Sequence, residues 1–88
     1  IEFVVAGDSE MTETQDLLRE INQRFLPSKV ILFKDSSKPD KTLIKLIPFL
    51  ENQNAIDNKP TVYACRNQTC DKPQTSLQEL ILFLEEQN

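Results

Sequence analysis

Two cysteines are the most reactive side chains in this sequence, and they lie close together along the chain. Cys65 and Cys70 flank residues 66–69, which are typical of a four-residue hairpin loop. Residues that face each other across such a hairpin have Cα atoms about 4.5–5.5 Å apart, which a disulfide can span. The pattern is therefore consistent with two reduced structural thiols, which we favour, with a disulfide, or with redox or metal chemistry.

Metal binding and redox catalysis fit this cysteine pair less well. A structural zinc site usually has four ligands, whereas the chain supplies two sulfurs and no His. A strongly lowered thiol pKa is typical of Cys-x-x-Cys at a helix N-terminus, and the spacing here is Cys-x₄-Cys. The sequence therefore predicts no metal and no cofactor, and it leaves Cys65 and Cys70 as a candidate disulfide or redox pair.

Four polar residues form a second, weaker candidate site. Asp8 and Ser9 follow the first apolar run of the chain, and Asp35 and Ser36 follow the second. If those runs are parallel strands, both pairs lie at the carboxyl edge of the sheet, where open α/β sheets bind ligands. Their oxygens suit a Mg²⁺ ion or a sugar hydroxyl. Turns and helix N-caps also use Asp and Ser for local hydrogen bonds, and we favour this second interpretation.

The composition excludes several classes of function. The 88 residues contain no His, which removes the commonest general base and every Ser-His or Cys-His nucleophile pair. A single Gly excludes a Gly-rich phosphate-binding loop. The net charge of −4 argues against nucleic acid, and no apolar run approaches the roughly 20 residues that cross a bilayer. We therefore predict no complete active site, no nucleic-acid partner and no membrane partner.

Alternating strand and helix patterns position the candidate residues. Apolar, β-branched runs predict strands at 1–6, 30–33 and 61–65, and a short fourth strand follows the hairpin. Helical patterns separate the first three strands and follow the fourth. The order β-α-β-α-β-β-α predicts a single α/β domain over residues 1–88. It has a four-stranded mixed sheet in the order 2-1-3-4, with helices on both faces.

The direction of the third strand has two solutions. A strand parallel to the first gives a Rossmann-like or flavodoxin-like domain, and an antiparallel one gives a thioredoxin-like domain. Pro60, directly before this strand, is similar to the proline that precedes the same strand in thioredoxins. We nevertheless favour the parallel arrangement.

Capping signals mark the ends of the first and third helices. Thr12 with Gln15 predicts a capping box at the start of the first helix, which Pro27 ends. Thr75 with Gln78, or Ser76 with Glu79, predicts a capping box for the third helix.

The second helix carries more apolar residues than a small sheet can cover. Asp40 is its predicted N-cap, and Pro48 should kink it or split it in two. An uncovered patch would offer a surface to a neighbouring domain. The residues concerned are Ile44, Ile47, Phe49 and Leu50.

The segment around the cysteines resembles a known family. Tyr63-Ala-Cys65-Arg-Asn67-Gln-Thr-Cys70-Asp-Lys-Pro73 is similar to the C-terminal segment of the YyaL-like family, the family of spermatogenesis-associated protein 20. The stretches 25–30 and 47–50 resemble the same family. The resemblance extends over essentially the whole chain, although only the hairpin is specific.

This resemblance implies a large parent protein. Family members carry an N-terminal thioredoxin-like domain and a central helical barrel similar to sugar epimerases and six-hairpin glycosidases, and the segment that matches this chain follows the barrel. Any catalytic residues would then lie elsewhere, and the cysteine pair is a family feature without an assigned role. A cytoplasmic location, usual for bacterial members, would favour reduced thiols.

We therefore expect a non-catalytic accessory domain from the C-terminal end of a larger protein. The first residue already lies inside a predicted strand, which is typical of an excised domain. Its partners would be other domains of the same polypeptide, the helical barrel above all. Two alternatives remain: a thiol-disulfide redox module at Cys65 and Cys70, and small-ligand binding at the carboxyl edge of the sheet.

Overall fold

The computed structural model describes residues 1–26, 28–38, 41–67 and 69–86, apart from the side chain of Phe49. Four strands form one mixed sheet in the order β2-β1-β3-β4, so the predicted fold class and strand order are confirmed. The strands are β1 Glu2–Gly7, β2 Val30–Asp35, β3 Thr61–Arg66 and β4 Thr69–Cys70. The helices are α1 Thr12–Gln23, α2 Lys41–Leu46 and α3 Leu77–Glu86, with a 3₁₀ helix at Pro48–Asn52.

The preferred direction of the third strand is wrong. β1 is parallel to β2, with Glu2 opposite Val30, but it is antiparallel to β3, with Ala6 opposite Thr61. The connection between Asp35 and Thr61 packs Leu50 against Val4 and Ala6, and Thr61 then lies opposite Ala6 near the end of β1. β3 therefore starts at the carboxyl edge and runs antiparallel to β1, which gives the thioredoxin-like alternative and not a Rossmann-like or flavodoxin-like domain.

Two apolar cores cover the two faces of this sheet. On one face, α1 and α3 pack against side chains of β1 and β3. On the other face, Leu50 of the 3₁₀ helix packs against Val4, Ala6 and Tyr63, with Leu43 and Ile47 at the periphery. Helices therefore cover both faces, as predicted. Their unequal lengths leave the second face with the smaller core.

The first helix ends earlier than its apolar spacing predicts. Its last residue is Gln23, and Phe25 lies beyond it with 90 % of its surface exposed. The predicted capping box is also wrong, because Met11 occupies the N-cap position without a side-chain cap. Gln15 instead donates from Nε2 to the carbonyl of Ser9, 3.1 Å away. Pro27 lies outside the described residues.

Pro48 splits the second helical segment into two pieces, as expected. The α-helix ends at Leu46 and the 3₁₀ helix begins at Pro48, which has no amide hydrogen to continue the first. Of the expected apolar excess, Leu50 is buried, Ile44 and Ile47 are partly buried, and the side chain of Phe49 lies outside the described part of the chain. Leu46, which was not among those residues, has 75 % of its surface exposed. Asp40 lies outside the described residues.

The third helix has the predicted capping box. Glu79 donates its amide to Ser76 Oγ at 3.1 Å, and its own Oε1 accepts the amide of Thr75 at 2.9 Å. Leu80 and Leu84 are buried, as expected from their spacing. Among the described residues no helix is long and apolar enough to cross a membrane.

Candidate functional site

Parallel pairing brings the two polar candidate pairs to one edge of the sheet. Gly7 lies opposite Asp35 at the end of the β1–β2 ladder. Ser36 donates its amide to the Gly7 carbonyl at 2.9 Å, so the two strands leave the sheet side by side. Asp8 and Asp35 therefore lie at the carboxyl edge, where the sequence places them.

Asp35 uses one carboxylate oxygen to hold two turns. Its Oδ1 accepts the amide of Ser9 at 3.2 Å, the amide of Ser37 at 3.0 Å and the hydroxyl of Ser37 at 2.6 Å. These hydrogen bonds, first that of the Ser37 hydroxyl and then that of the Ser9 side chain, hold the pKa of Asp35 well below its usual range. Ser37 was missed by sequence reasoning, although an Asp followed two residues later by Ser is a turn signal.

Asp8 performs a similar local task. Its Oδ1 accepts the amide of Glu10 at 2.9 Å, and its carbonyl accepts the amide of Met11 at 3.0 Å. Asp8 thereby shapes the turn that leads into α1. These contacts are those of the turn interpretation favoured for both aspartates.

The same edge nevertheless opens into a cleft of about 550 Å³. It extends from the ends of β1 and β2 to the loop before β3. Such a volume is within the usual range for small-ligand sites. Its polar lining residues are Asp8, Lys34, Asp35, Ser36, Asn54 and Asn58.

Lys34 and Asn54 join β2 to the loop before β3 within this cleft. Lys34 Nζ donates to Asn54 Oδ1 at 2.6 Å and to the Leu50 carbonyl at 2.8 Å. Tyr63 holds the same loop from the sheet, since its hydroxyl donates to the Asn54 carbonyl at 2.6 Å. Burial lowers the pKa of Lys34, and the carboxylate of Glu51 partly opposes the change. Asn54 lies in a stretch without periodicity, so the sequence carried no signal for it.

The chemistry that this arrangement suits is hydrogen bonding to a hydroxyl-rich molecule. Carboxylate and side-chain amide oxygens at this edge can accept hydrogen bonds from such a molecule, whereas Lys34 Nζ already donates to the Leu50 and Glu51 carbonyls and to Asn54 Oδ1. The described part of the chain contains no group of three or more His, Cys, Asp or Glu side chains that could hold a metal ion. The fit to Mg²⁺ is therefore poor, because Asp35 Oδ1 already accepts three hydrogen bonds.

Cys65 and Cys70 are joined by a disulfide across the β3–β4 hairpin, with an S–S distance of 1.98 Å, so the favoured prediction of two reduced thiols is wrong. They lie directly opposite each other, and Asp71 donates its amide to the Ala64 carbonyl at 2.9 Å. Cys65 and Cys70 therefore form a non-hydrogen-bonded pair, in which side chains approach most closely. The Cα atoms are 3.9 Å apart, closer than the sequence-based expectation.

The hairpin itself is tighter than predicted. Arg66 pairs with Thr69, so the ladder continues past the cysteines and the expected four-residue loop is wrong. Only Asn67 and Gln68 remain between the strands. Asn67 has a φ of 51°, the left-handed conformation that two-residue hairpin loops require and that Asn tolerates. Gln68 lies outside the described residues.

The two candidate sites lie at opposite ends of the sheet. Cys65 pairs with Glu2 at the start of β1, whereas Asp8 follows the end of that strand. Six residues of extended chain separate them by about 20 Å. The cysteines and the aspartates therefore do not form one site.

The disulfide is also unequally accessible at its two sulfurs. Cys65 is completely buried among Val4, Ala6 and Leu50, whereas Cys70 is partly exposed. An attacking thiolate would reach Cys70 Sγ and would have to expel the Cys65 thiolate into an apolar core. Burial raises the free energy of such an anion and makes it a poor leaving group. These contacts favour a structural bond.

The chain is similar to a segment of longer proteins. It is 32 % identical over 85 residues to spermatogenesis-associated protein 20 of Rattus norvegicus, a match that covers 97 % of this chain. The proteins of the same name from Homo sapiens and Mus musculus are 30 % and 31 % identical over 90 % and 97 % of the chain. The resemblance to the YyaL-like family is thus confirmed.

The chain spans only about a tenth of those relatives, 11 % of the rat and mouse proteins and 10 % of the human protein. No protein-family model matches the sequence. No solved structure is significantly similar to it.

Proposed function

From its relationship to spermatogenesis-associated protein 20, we propose that this chain is a non-catalytic accessory domain of a larger protein and packs on the helical barrel of that protein. The relatives are about ten times longer than the segment they share with it. A partner domain in the same polypeptide would therefore be present at a high effective concentration.

The observation that carries the proposal is uncovered apolar surface along β2. The central strands β1 and β3 are almost completely buried, but every residue of β2 is at least partly exposed. Val30 is 48 % exposed, and Phe25, five residues earlier, is 90 % exposed. These exposed apolar side chains are the ones that we expect to contact the partner.

The non-catalytic part of the proposal is supported by the contacts of the polar candidates. The Asp35 carboxylate and the Lys34 ammonium are both engaged by neighbouring backbone groups. Cys65 is buried and bonded to Cys70. These groups stabilise turns and strands, which is a structural role.

Controlled cleavage tests the packing. A protease site is placed before Ile1 in the polypeptide that contains this chain, and the cleaved product is passed over a size-exclusion column. We expect the released piece to elute with the remainder. A Phe25→Ser substitution should weaken that association, whereas Gln23→Ser at an exposed neighbouring position should not. Separate elution of the unsubstituted piece would contradict the proposal.

A second candidate function is binding of a small hydroxyl-rich ligand, and the cleft beside Asp8 and Asp35 favours it. Phosphosugars and Mg²⁺ are titrated separately into the protein while amide chemical shifts are followed. Binding should move the signals of Gly7 to Ser9 in the unsubstituted protein and not in Asp35→Asn. Asp71→Asn, at the other edge of the sheet, is the matched control. Unchanged amide chemical shifts from Gly7 to Ser9 would contradict this candidate function.

A third candidate is thiol-disulfide exchange, since Cys65 and Cys70 are bonded. Two external thiols would reduce the bond to two protein thiols and leave as one external disulfide. The buried leaving group argues for slow exchange, as described above. A reduction potential below about −300 mV identifies a structural bridge, and a higher potential with fast exchange would favour a redox module.

A further inference from the structure

The outer edge of β2 presents backbone groups that no other strand pairs with in the described part of the chain. The sheet order places β2 at one side with β1 as its single neighbour. Val30 and Ser36 donate their amides to the carbonyls of Ile1 and Gly7, at 3.1 and 2.9 Å. In a parallel ladder alternate residues bond to the same neighbour, so Ile31 and Phe33 turn both their N–H and C=O groups outwards.

The β4 edge of the sheet is protected against pairing with another strand, whereas the β2 edge is not. β4 has only two residues, and Pro73 follows it closely. Short strands and prolines are common devices against edge pairing. β2 has six residues in unbroken register with β1 and contains no Pro. Its one lysine, Lys34, turns its ammonium to the Leu50 carbonyl, which lies over a face of the sheet.

The segment that contains β2 differs in charge sign from the whole chain, and α2 lies near β2 because Leu43 and Leu32 pack against the same core. Residues 24–45 contain six of the ten basic residues and two acidic ones, a net charge of +4, while the whole chain carries −4. Lys38, Lys41 and Lys45 are exposed, and none makes a side-chain hydrogen bond or ion pair to another described residue. A second copy of β2 would bring like charges together, which is unfavourable across a strand pair. An acidic segment would bring opposite charges together.

We propose that the outer edge of β2 receives an extended acidic segment from elsewhere in the same polypeptide, which adds to the sheet as a fifth strand. This inference rests on the proposed accessory role and specifies its interface. The incoming backbone would bond to the outward groups of Ile31 and Phe33. Its acidic side chains would approach Lys38, Lys41 and Lys45, and its apolar side chains would cover Val30 and Phe25. Addition of a strand to a free sheet edge is a recurrent mode of recognition.

Hydrogen exchange of the intact polypeptide, resolved to single residues, tests the proposal. We expect the amides of Ile31 and Phe33 to exchange at least roughly tenfold more slowly than unprotected amides, because each donates to the added strand. Exchange at the unprotected rate would overturn the proposal. Protection that appears only as the protein concentration rises would also overturn it, because it would identify a second copy as the occupant.

Two sets of variants make the test specific. Reversing charge at Lys38, Lys41 and Lys45 to Glu should abolish most of the protection at Ile31 and Phe33. The matched reversal of Lys59 and Lys72 to Glu, outside the basic segment, should leave that protection unchanged. Equal effects of the two sets would contradict the charge argument and with it the proposed occupant.

A backbone variant separates the outer edge from the inner one. Ile31→Pro removes an amide that β1 does not use, so it should abolish protection at Phe33 while the β1–β2 amides remain protected. If the cleaved piece still elutes with the remainder while Ile31 and Phe33 are unprotected, the accessory role stands and the strand addition fails. Separate elution of the cleaved piece, combined with unprotected amides at Ile31 and Phe33, would contradict both the accessory role and the strand addition.

Discussion

Reduction of the Cys65–Cys70 disulfide should lower the free energy of unfolding by about 2 kcal/mol. The bond joins residues five positions apart, so it closes a very short loop. In the chain-entropy treatment, closing a loop of this size removes about 7 cal/mol/K from the unfolded chain, or about 2 kcal/mol at 25 °C. A domain of 88 residues has a total stability of roughly 4–13 kcal/mol, so this one bond is a substantial part of it.

Urea unfolding, followed by circular dichroism, measures this loss. The protein is unfolded, reduced with a phosphine, refolded and compared with the oxidised protein. With a slope of roughly 1 kcal/mol per molar urea, the midpoint should fall by about 2 M. The variant with Cys65→Ala and Cys70→Ala is the control, and the phosphine should not change its midpoint.

A midpoint of the unsubstituted protein that does not change on reduction would refute the reasoning. It would mean that the bond does not constrain the unfolded chain, or that two packed thiols replace its contribution. Reduction that instead abolishes folding altogether would show that the hairpin contributes far more than loop entropy.

Three further predictions concern the core, the carboxyl edge and the one glycine. Leu50→Ala should destabilise the protein by about 2–5 kcal/mol, because Leu50 is completely buried in the second core; chemical denaturation measures it. The folded-state pKa of Asp35 is depressed, so its contribution to stability is present above the unfolded pKa of about 4 and is lost as the pH falls below it. The unfolding midpoint of Asp35→Asn should therefore depend less on pH between about 5 and 2. Gly7→Ala should cost about 1–3 kcal/mol, because the added Cβ would lie 2.8 Å from Thr14 Oγ1 and 3.1 Å from Pro60 Cβ.

Each of these three predictions has a matched control or a contradicting result. Leu46→Ala, at an exposed position, should change stability by less than about 0.5 kcal/mol. An Asp35→Asn variant with the same pH dependence as the unsubstituted protein would show that Asp35 titrates normally. Full stability of Gly7→Ala would show that α1 and the loop before β3 can separate at little cost.

Local patterns were sufficient to predict the elements and the order of the sheet. Apolar runs identify β1 and β3, Pro48 divides the second helical segment, and Ser76 with Glu79 caps α3. These features depend on backbone preferences and on the spacing of a few neighbouring residues. The strand order was also predictable, because connection rules pair β1 with β2 and the hairpin pairs β3 with β4.

Tertiary features were harder to predict because they depend on lengths and on neighbours. The direction of β3 depends on where the connection between Asp35 and Thr61 packs against the sheet, which apolar periodicity does not reveal. The run from Val30 to Phe33 is as apolar as a strand buried on both faces, although every residue of β2 is at least partly exposed. An apolar run reports side-chain type and not how much of each side chain the neighbouring elements cover.

For the candidate site too, local features were predicted and tertiary contacts were missed. Asp8 and Asp35 were placed correctly because both follow strands that pair in parallel. Lys34 and Asn54 were missed, since their contact joins residues 20 positions apart through a loop without periodicity. Reduced thiols were wrongly favoured over the disulfide, because two facing cysteines have the same spacing whether they are oxidised or reduced.

The position of β1 also determines when this sheet can assemble during synthesis. β1 is made first, yet it lies between β2 and β3 and pairs with both. The β1-α1-β2 unit can form as soon as residue 35 has left the ribosome, but the core beneath it also needs Leu80 and Leu84 of α3. The nascent chain therefore exposes the apolar face of its first strand until nearly all 88 residues have emerged. Folding is completed by the last helix, and a ribosome that stalls before residue 80 leaves a nascent chain whose first core cannot close.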